Sequence, residues 1–230
     1  MERSVLLYHL YIINNWYSIT KKLLTNAPHK EIVININYDL RHVFKLPFIW
    51  LWLKLNFPRT SKVFFTQNHS GKGEVLGFVK FIRYIELICY EIDILTYIHS
   101  KGVSKPNNKP VADWVELMRY FILERWDLTR AAFKEGYKLY GCNLAGNPGI
   151  DDYAFKYAPF IFRGNFVNVN YPLLKDKIHQ TKPGSDYFGV EGYWGNLCDI
   201  SECYCCHESH ISHYKEEYPE CKYKSNLSVN

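Results

Sequence analysis

The residues best placed to do chemistry lie in the stretch His99-Ser100-Lys101-Gly102, which sets an imidazole, a hydroxyl and an ammonium side by side. The glycine that follows lets the backbone turn sharply. Ile92, Ile94, Leu95, Tyr97 and Ile98 precede this turn, and apolar residues on both faces are the pattern of a strand buried in a parallel sheet. Ligands of open α/β sheets bind where strands reach their carboxyl ends. A cationic turn in that place suits an anionic ligand. A surface loop with an incidental His and Lys fits the same spacing.

Three other groups carry chemistry. Glu191 lies among Phe188, Tyr193 and Trp194. Partial burial there would raise its pKa and suit it to abstract a proton, whereas on a surface helix it would only be solvated. Arg163-Gly164-Asn165 interrupts the apolar run Phe160-Ile161-Phe162. A charge in a buried strand must be paired or face a cleft, and Gly164 would let a ligand approach the backbone; a β-bulge is the other reading. Asp39 and the pair Asp151-Asp152 are carboxylates available to a divalent cation or simply to water. Cys198, Cys203, Cys205, Cys206, His207, His210, His213 and Cys221 crowd the end of the chain. Cys203 and Cys206 have zinc-knuckle spacing, but the gap to a second pair is short for a finger, so a thiol-rich terminal segment competes with a zinc site. Gly71-Lys72-Gly73 is a fragment of a phosphate-cradling loop without its full spacing.

The elements that must position these groups alternate. Strands are expected at residues 4–13, 31–37, 61–67, 92–98, 137–143 and 160–168. Helices are expected at 16–26, capped by Asn15, at 74–90, and at 113–135, where Asp113 and Glu116 have capping-box spacing and Gly136 stands at the stop. Shorter helices are expected at 171–178 and 189–197. Residues 39–57 are apolar but broken by Pro47, with Trp50 and Trp52 packed on the sheet or facing a partner. The alternation predicts an α/β fold with a mainly parallel sheet.

Composition narrows the class. A chain of 230 residues, 47% hydrophobic and 22% charged, can bury its own core and is not a disordered segment. The net charge of +5 is not gathered into a basic run, which favours a small anion or a weakly anionic surface over nucleic acid. No signal peptide is evident, and residues 43–57 are too short and too charged to span a bilayer. A cytoplasmic, reducing location is therefore expected, with Cys89 and Cys142 acting as small core hydrophobes. Peripheral membrane contact stays open.

Taken together, Tyr97-Ile98-His99-Ser100-Lys101-Gly102-Val103-Ser104, Asp113-Trp114 with Met118, Arg119, Tyr120 and Phe121, Gly141-Cys142-Asn143 and Phe162-Arg163-Gly164-Asn165-Phe166 form a wider pattern. So do Tyr8-His9-Leu10-Tyr11 leading to Asn14-Asn15-Trp16, and the ending His213-Tyr214 with Tyr218-Pro219. The pattern resembles a glycosyltransferase-like family of bacterial surface-polysaccharide clusters and large viruses, distantly similar to rhamnan-synthesis proteins. The resemblance implies a single domain of GT-A-like (Rossmann-like) fold over residues 1–197, with the Cys/His-rich segment 198–230 packed on it. It implies a transferase moving a sugar from a nucleotide-sugar donor to a glycan or other hydroxyl acceptor. A non-catalytic carbohydrate- or partner-binding domain on the same fold is the alternative. His99 and Lys101 would stand where such enzymes keep a metal-binding Asp-x-Asp turn. Lys101 would neutralise the leaving diphosphate, His99 would bind phosphate or one metal position, and Glu191 would be the base. Asn14, Asn15, Ser100, Gly102, Arg163, Gly164 and Asn165 would hold the donor, and Asp113 and Trp194 would face the acceptor. A divalent metal, Mn or Mg, is compatible but not required. Relatives keep the His-Tyr ending without depending on cysteines, which weighs against zinc. They tend to have Ser-Gly-Asn-Phe-Trp-Trp where this chain has Arg163-Gly164-Asn165-Phe166-Val167-Asn168, which leaves the acceptor open.

Overall fold

A computed structural model describes residues 2–69, 71–88, 91–147 and 155–224. Cys89 and the Asp151-Asp152 pair lie outside the described residues. The apolar runs become strands β1 (Ser4–Tyr11), β2 (Glu31–Tyr38), β3 (Thr60–Gln67) and β4 (Ile94–His99). They pair in parallel in the order β3-β2-β1-β4. Helices α1 (Trp16–Leu24), α2 (Leu46–Asn56) and α3 (Val75–Leu87) join them.

The later chain completes the sheet. The expected strand 160–168 is two strands in two sheets. β7 (Phe160–Phe162) pairs with β6 (Leu144–Gly146), while β8 (Val167–Asn170) inserts antiparallel between β4 and β5 (Leu139–Cys142). The corner between them is left-handed at Gly164 and Asn165, with φ of 95° and 58°. β9 (Cys203–His207) pairs with β5 and closes the far edge, giving a seven-stranded order β3-β2-β1-β4-β8-β5-β9. The expected mixed, mainly parallel sheet flanked by helices, in one domain, is what the chain builds.

Alternation along β1 divides the core. Leu6, Tyr8 and Leu10 face a layer formed by α1, α2, α4 (Lys109–Arg119) and α5 (Trp126–Lys134). Val5 and Leu7 face α3 and α6 (Tyr171–Gln180). Each such side chain, fully buried, stabilises the fold by roughly 1.5–3 kcal/mol. Gly77 lets α3 come down onto the strand ends, because a Cβ there would collide with the Asn35 side chain and His9 Nδ1.

Four expectations about elements need correction. Residues 113–135 are not one helix: α4 ends in a π turn at Tyr120–Glu124, and Arg125 breaks the run before α5. Asn168 Nδ2 donates to the Ile122 carbonyl at 3.1 Å and to Thr129 Oγ1 at 2.8 Å. A side chain inserted into the helical ladder is a recognised cause of such a break. Asp113 and Glu116 form no capping box; Asn108 caps α4 by accepting from Val111 N at 2.9 Å, with Pro110 in the first turn. Asn15 occupies the N-cap of α1 without a capping bond. Residues 189–197 are turns and a short 3-10 segment, Trp194–Asn196.

Candidate active site

Parallel register brings the polar strand ends together. His9 on β1 is aligned with Asn35 on β2 and with His99 on β4. A cleft of about 530 Å³ opens above them. His9, Tyr11, Asn37, Asn68, Glu74, His99, Lys101, Lys105, Tyr187 and Tyr214 are among its lining residues.

Glu74, just before α3, organises the floor. Its carboxylate pairs with His99 Nδ1 and accepts from Tyr97 Oη at 2.5 Å and Asn165 Nδ2 at 3.4 Å. Burial alone would raise this carboxyl. The His99 ring, then His9 and the Tyr97 hydroxyl, outweigh it and hold Glu74 down at about 2. His99 Nε2 lies 3.0 Å from the Gly164 carbonyl oxygen. Both ring nitrogens thus have partners in the floor of the cleft.

At His9 burial prevails and lowers the ring to about 4, against the pull of Glu74. Thr66 Oγ1 donates to Asn35 Oδ1 at 2.7 Å, so the Asn35 amide turns its Nδ2 to His9 Nδ1 at 3.5 Å. That leaves a neutral ring with its proton on Nε2. Asn37 Oδ1, also at the cleft, is buried with no hydrogen-bond partner among the described residues.

The turn after β4 supplies positive charge. Ser100 Oγ accepts from Tyr11 N at 2.8 Å, and Ser100 N donates to the His9 carbonyl at 2.9 Å. Gly102 has φ of 89°, a conformation glycine adopts without strain. Lys101 Nζ stands 4.0 Å from the Trp114 ring centroid, and Lys105 Nζ stands 4.4 Å from that of Tyr214. Among the described residues, neither ammonium has a carboxylate within ion-pair distance. Burial and the neighbouring Lys105 lower the Lys101 pKa, with Glu191 and Glu74 opposing.

A second cleft of about 700 Å³ lies across Trp114 and Tyr214. Glu191, Arg163, Asn143, Phe188, Ser209 and His213 line it. Burial raises the Glu191 carboxyl, opposed by Lys101, His99 and a hydrogen bond from the Gly164 backbone. His213 stacks on Trp114 at 5.0 Å and 9°, so the terminal segment completes the wall between the clefts.

The structure therefore gathers His99, Ser100, Lys101 and Gly102 at the first cleft and sets Glu191 and Arg163 at the second. Gly164 and Asn165 serve from behind, through the Gly164 carbonyl on His99 and the Asn165 amide on Glu74. Asn14 and Asn15 line neither cleft. Asn14 Nδ2 instead donates to the Val103 carbonyl at 2.7 Å and ties down the cationic turn. Trp194 cannot meet an acceptor: it is fully buried, and its Nε1 donates to Asn165 Oδ1 at 2.9 Å. Asp113 is buried as well, its carboxylate engaged by Lys109 and by Tyr218 N. Glu74, His9, Asn37, Lys105, Trp114 and Tyr214 were not among the expected site residues. The polar Asn35-Ile36-Asn37 end of β2 was one local sign, and His9, Trp114 and Tyr214 stood in the wider motif pattern without a site role.

Among the described residues metal donors do not converge. His99, the candidate metal ligand, has Nδ1 against Glu74 and Nε2 against the Gly164 carbonyl oxygen in this arrangement. Among the described residues no three His, Cys, Asp or Glu side chains form a metal-holding group. Cys203 and Cys206 both lie on β9 but pack into different core clusters, one on each side of the sheet.

Comparisons with known proteins give a weak likeness. No protein-family model and no curated protein matches the chain, so neither supports the family resemblance. Among solved structures, S. aureus TarS in complex with UDP-GlcNAc is similar at a TM-score of 0.40 and 12% identity, covering 95% of this chain and 62% of that one. A mannosyltransferase from Pyrobaculum calidifontis in complex with GDP-Man and Mn2+ is similar at 0.39 and 12%, covering 91% and 57%. The chain thus spans less than two thirds of either, and a likeness of that size fixes neither a reaction nor a ligand.

Proposed function

We propose that the chain is a glycosyltransferase of GT-A-like fold that moves a sugar from a nucleotide-sugar donor to a glycan hydroxyl. The observation that carries this is the pair Lys101 and Lys105. Both ammonium groups rest on aromatic rings at the carboxyl edge of the parallel strands, free of carboxylate ion-pair partners among the described residues. Such a cationic shelf suits a diphosphate, whose charge grows as the bond to the sugar breaks. Binding it would also relieve the lowered Lys101, since an anion favours the ammonium. Asn37 Oδ1 is an acceptor awaiting an N–H or O–H from the nucleoside. The motif resemblance supports the same assignment.

In this scheme the acceptor hydroxyl enters from the second cleft. Glu191 takes its proton as the oxygen bonds to the anomeric carbon. The bond from that carbon to the diphosphate breaks, and its electron pair leaves on the phosphate oxygen beside Lys101. The His99–Glu74 pair fixes the turn that carries Lys101, and no step here is assigned to a cation. Incubation of the purified chain with nucleotide sugars, followed by release of free nucleotide, tests the proposal. Wild type should turn over one donor. Glu191→Gln should lower turnover by about 100-fold or more while leaving nucleotide binding intact. Because burial raises Glu191, the rate should fall on the acid side as this group takes up a proton. Normal turnover by Glu191→Gln would remove its role as base.

A further inference from the structure

Between Asp39 and Glu74 the sequence contains no carboxylate, while Arg41, Lys45, Lys54, Arg59, Lys62 and Lys72 fall in the same interval. The 3-10 segment Leu40–Lys45 and helix α2 occupy its first half. Leu46, Ile49 and Leu53 turn into the core. The other side is also apolar: Leu40, Phe44, Phe48, Leu51 and Leu55 recur at helical spacing, and Phe44, Phe48 and Leu55 are 87%, 75% and 72% exposed. A helix that is apolar all round is normally buried, and contiguous exposed apolar surface marks an interaction site. α2 has 11 residues, about 16 Å of helix, against roughly 30 Å of hydrocarbon in a bilayer. No helix among the described residues is long and apolar enough to cross a membrane.

We infer that this face lies in the surface of an anionic membrane. Its apolar ridge would enter the boundary between headgroups and acyl chains, and its flank, where basic residues outnumber the single carboxylate Asp39 that pairs with Arg41, would meet the anionic headgroups. The charge pattern favours lipid over a second copy of the chain, because two such flanks would repel each other across a dimer. The ridge begins next to Asp39, which accepts from Tyr11 Oη at 3.2 Å and Asn68 Nδ2 at 3.0 Å. Tyr11 and Asn68 line the first cleft, so docking would hold that cleft beside the bilayer.

Sedimentation with vesicles of phosphatidylcholine, with and without one-third phosphatidylserine, tests this. The wild-type chain should pellet with the anionic vesicles and remain largely in solution with phosphatidylcholine alone. High salt should weaken the binding. The variant Phe44→Ser/Phe48→Ser/Leu55→Ser alters only exposed side chains and should lower partition at least tenfold, with an unchanged circular dichroism spectrum. Arg41→Gln/Lys45→Gln should weaken binding to anionic vesicles specifically. Failure of the wild type to bind anionic vesicles overturns the inference. So does binding that the triple serine variant retains, or a dimer in sedimentation equilibrium that this variant abolishes while vesicles bind nothing.

Discussion

His99 and Glu74 show how one ion pair can hold a site. Glu74 has no other cation in ion-pair range among the described residues, and His99 has acceptors at both nitrogens. The Glu74 carboxyl is about 2 in the folded chain against an ordinary value of 4.5. Its stabilising effect is therefore complete above the ordinary value and is lost as pH falls through the folded one. Glu74→Gln should cost roughly 2 kcal/mol at neutral pH, because a neutral amide is a poorer acceptor for the His99 ring, the Tyr97 hydroxyl and the Asn165 amide; urea denaturation measures this, and an unchanged midpoint would count against the pair. His99 and Lys101 were legible in the sequence because an apolar strand ran straight into them. Glu74 was legible only as the start of a helix, since nothing in a single sequence says that residues 74 and 99 meet. Trp194 was misread for a related reason: an aromatic beside a candidate base looks like a sugar platform until its burial is known.

At the scale of elements, periodicity located β1 to β4, α3 and the Gly136 stop to within a few residues. It failed where a long-range hydrogen bond overrode it. Asn168, on a strand, pulls at the Ile122 carbonyl and ends α4 in a π turn. β9 was hidden by its composition: Cys203-Tyr204-Cys205-Cys206-His207 reads as metal chemistry but is an edge strand. The corner between β7 and β8 links scaffold to site. Gly164 has φ of 95°, and a Cβ there would meet Met118 Sδ and come within 3.0 Å of the Trp114 ring that carries Lys101. Gly164→Ala should destabilise the chain by roughly 2 kcal/mol and weaken nucleotide binding at the same time. Chemical denaturation and a binding titration on the same protein check both; full stability would mean that the corner relaxes freely.

Across the whole molecule, three buried imidazoles set the response to acid. Burial is the largest cause in each case, lowering His9 and His213 to about 4 and His29 to about 3. His29 donates from Nε2 to Thr96 Oγ1 at 2.6 Å, which in turn donates to Asn168 Oδ1 at 2.6 Å. Folded values below the ordinary 6.5 mean that the unfolded chain binds more protons. Stability should therefore fall from about pH 6.5 toward pH 4, with a limiting slope of about 4 kcal/mol per pH unit from these three groups. Raised Glu191 works in the other direction by one proton. Urea midpoints that stay level between about pH 7 and pH 5 would contradict this reading of the buried histidines.

The central claim is that the cationic shelf at the carboxyl edge of β1 and β4 receives the diphosphate of a nucleotide sugar. The most direct measurement is a thermal-shift screen of the wild-type chain and Lys101→Ala against UDP-, GDP-, dTDP- and CMP-sugars. One nucleotide class should raise the melting temperature of the wild type, and Lys101→Ala should abolish most of that rise. The claim is contradicted if no donor shifts the wild type, or if the same donor shifts Lys101→Ala equally.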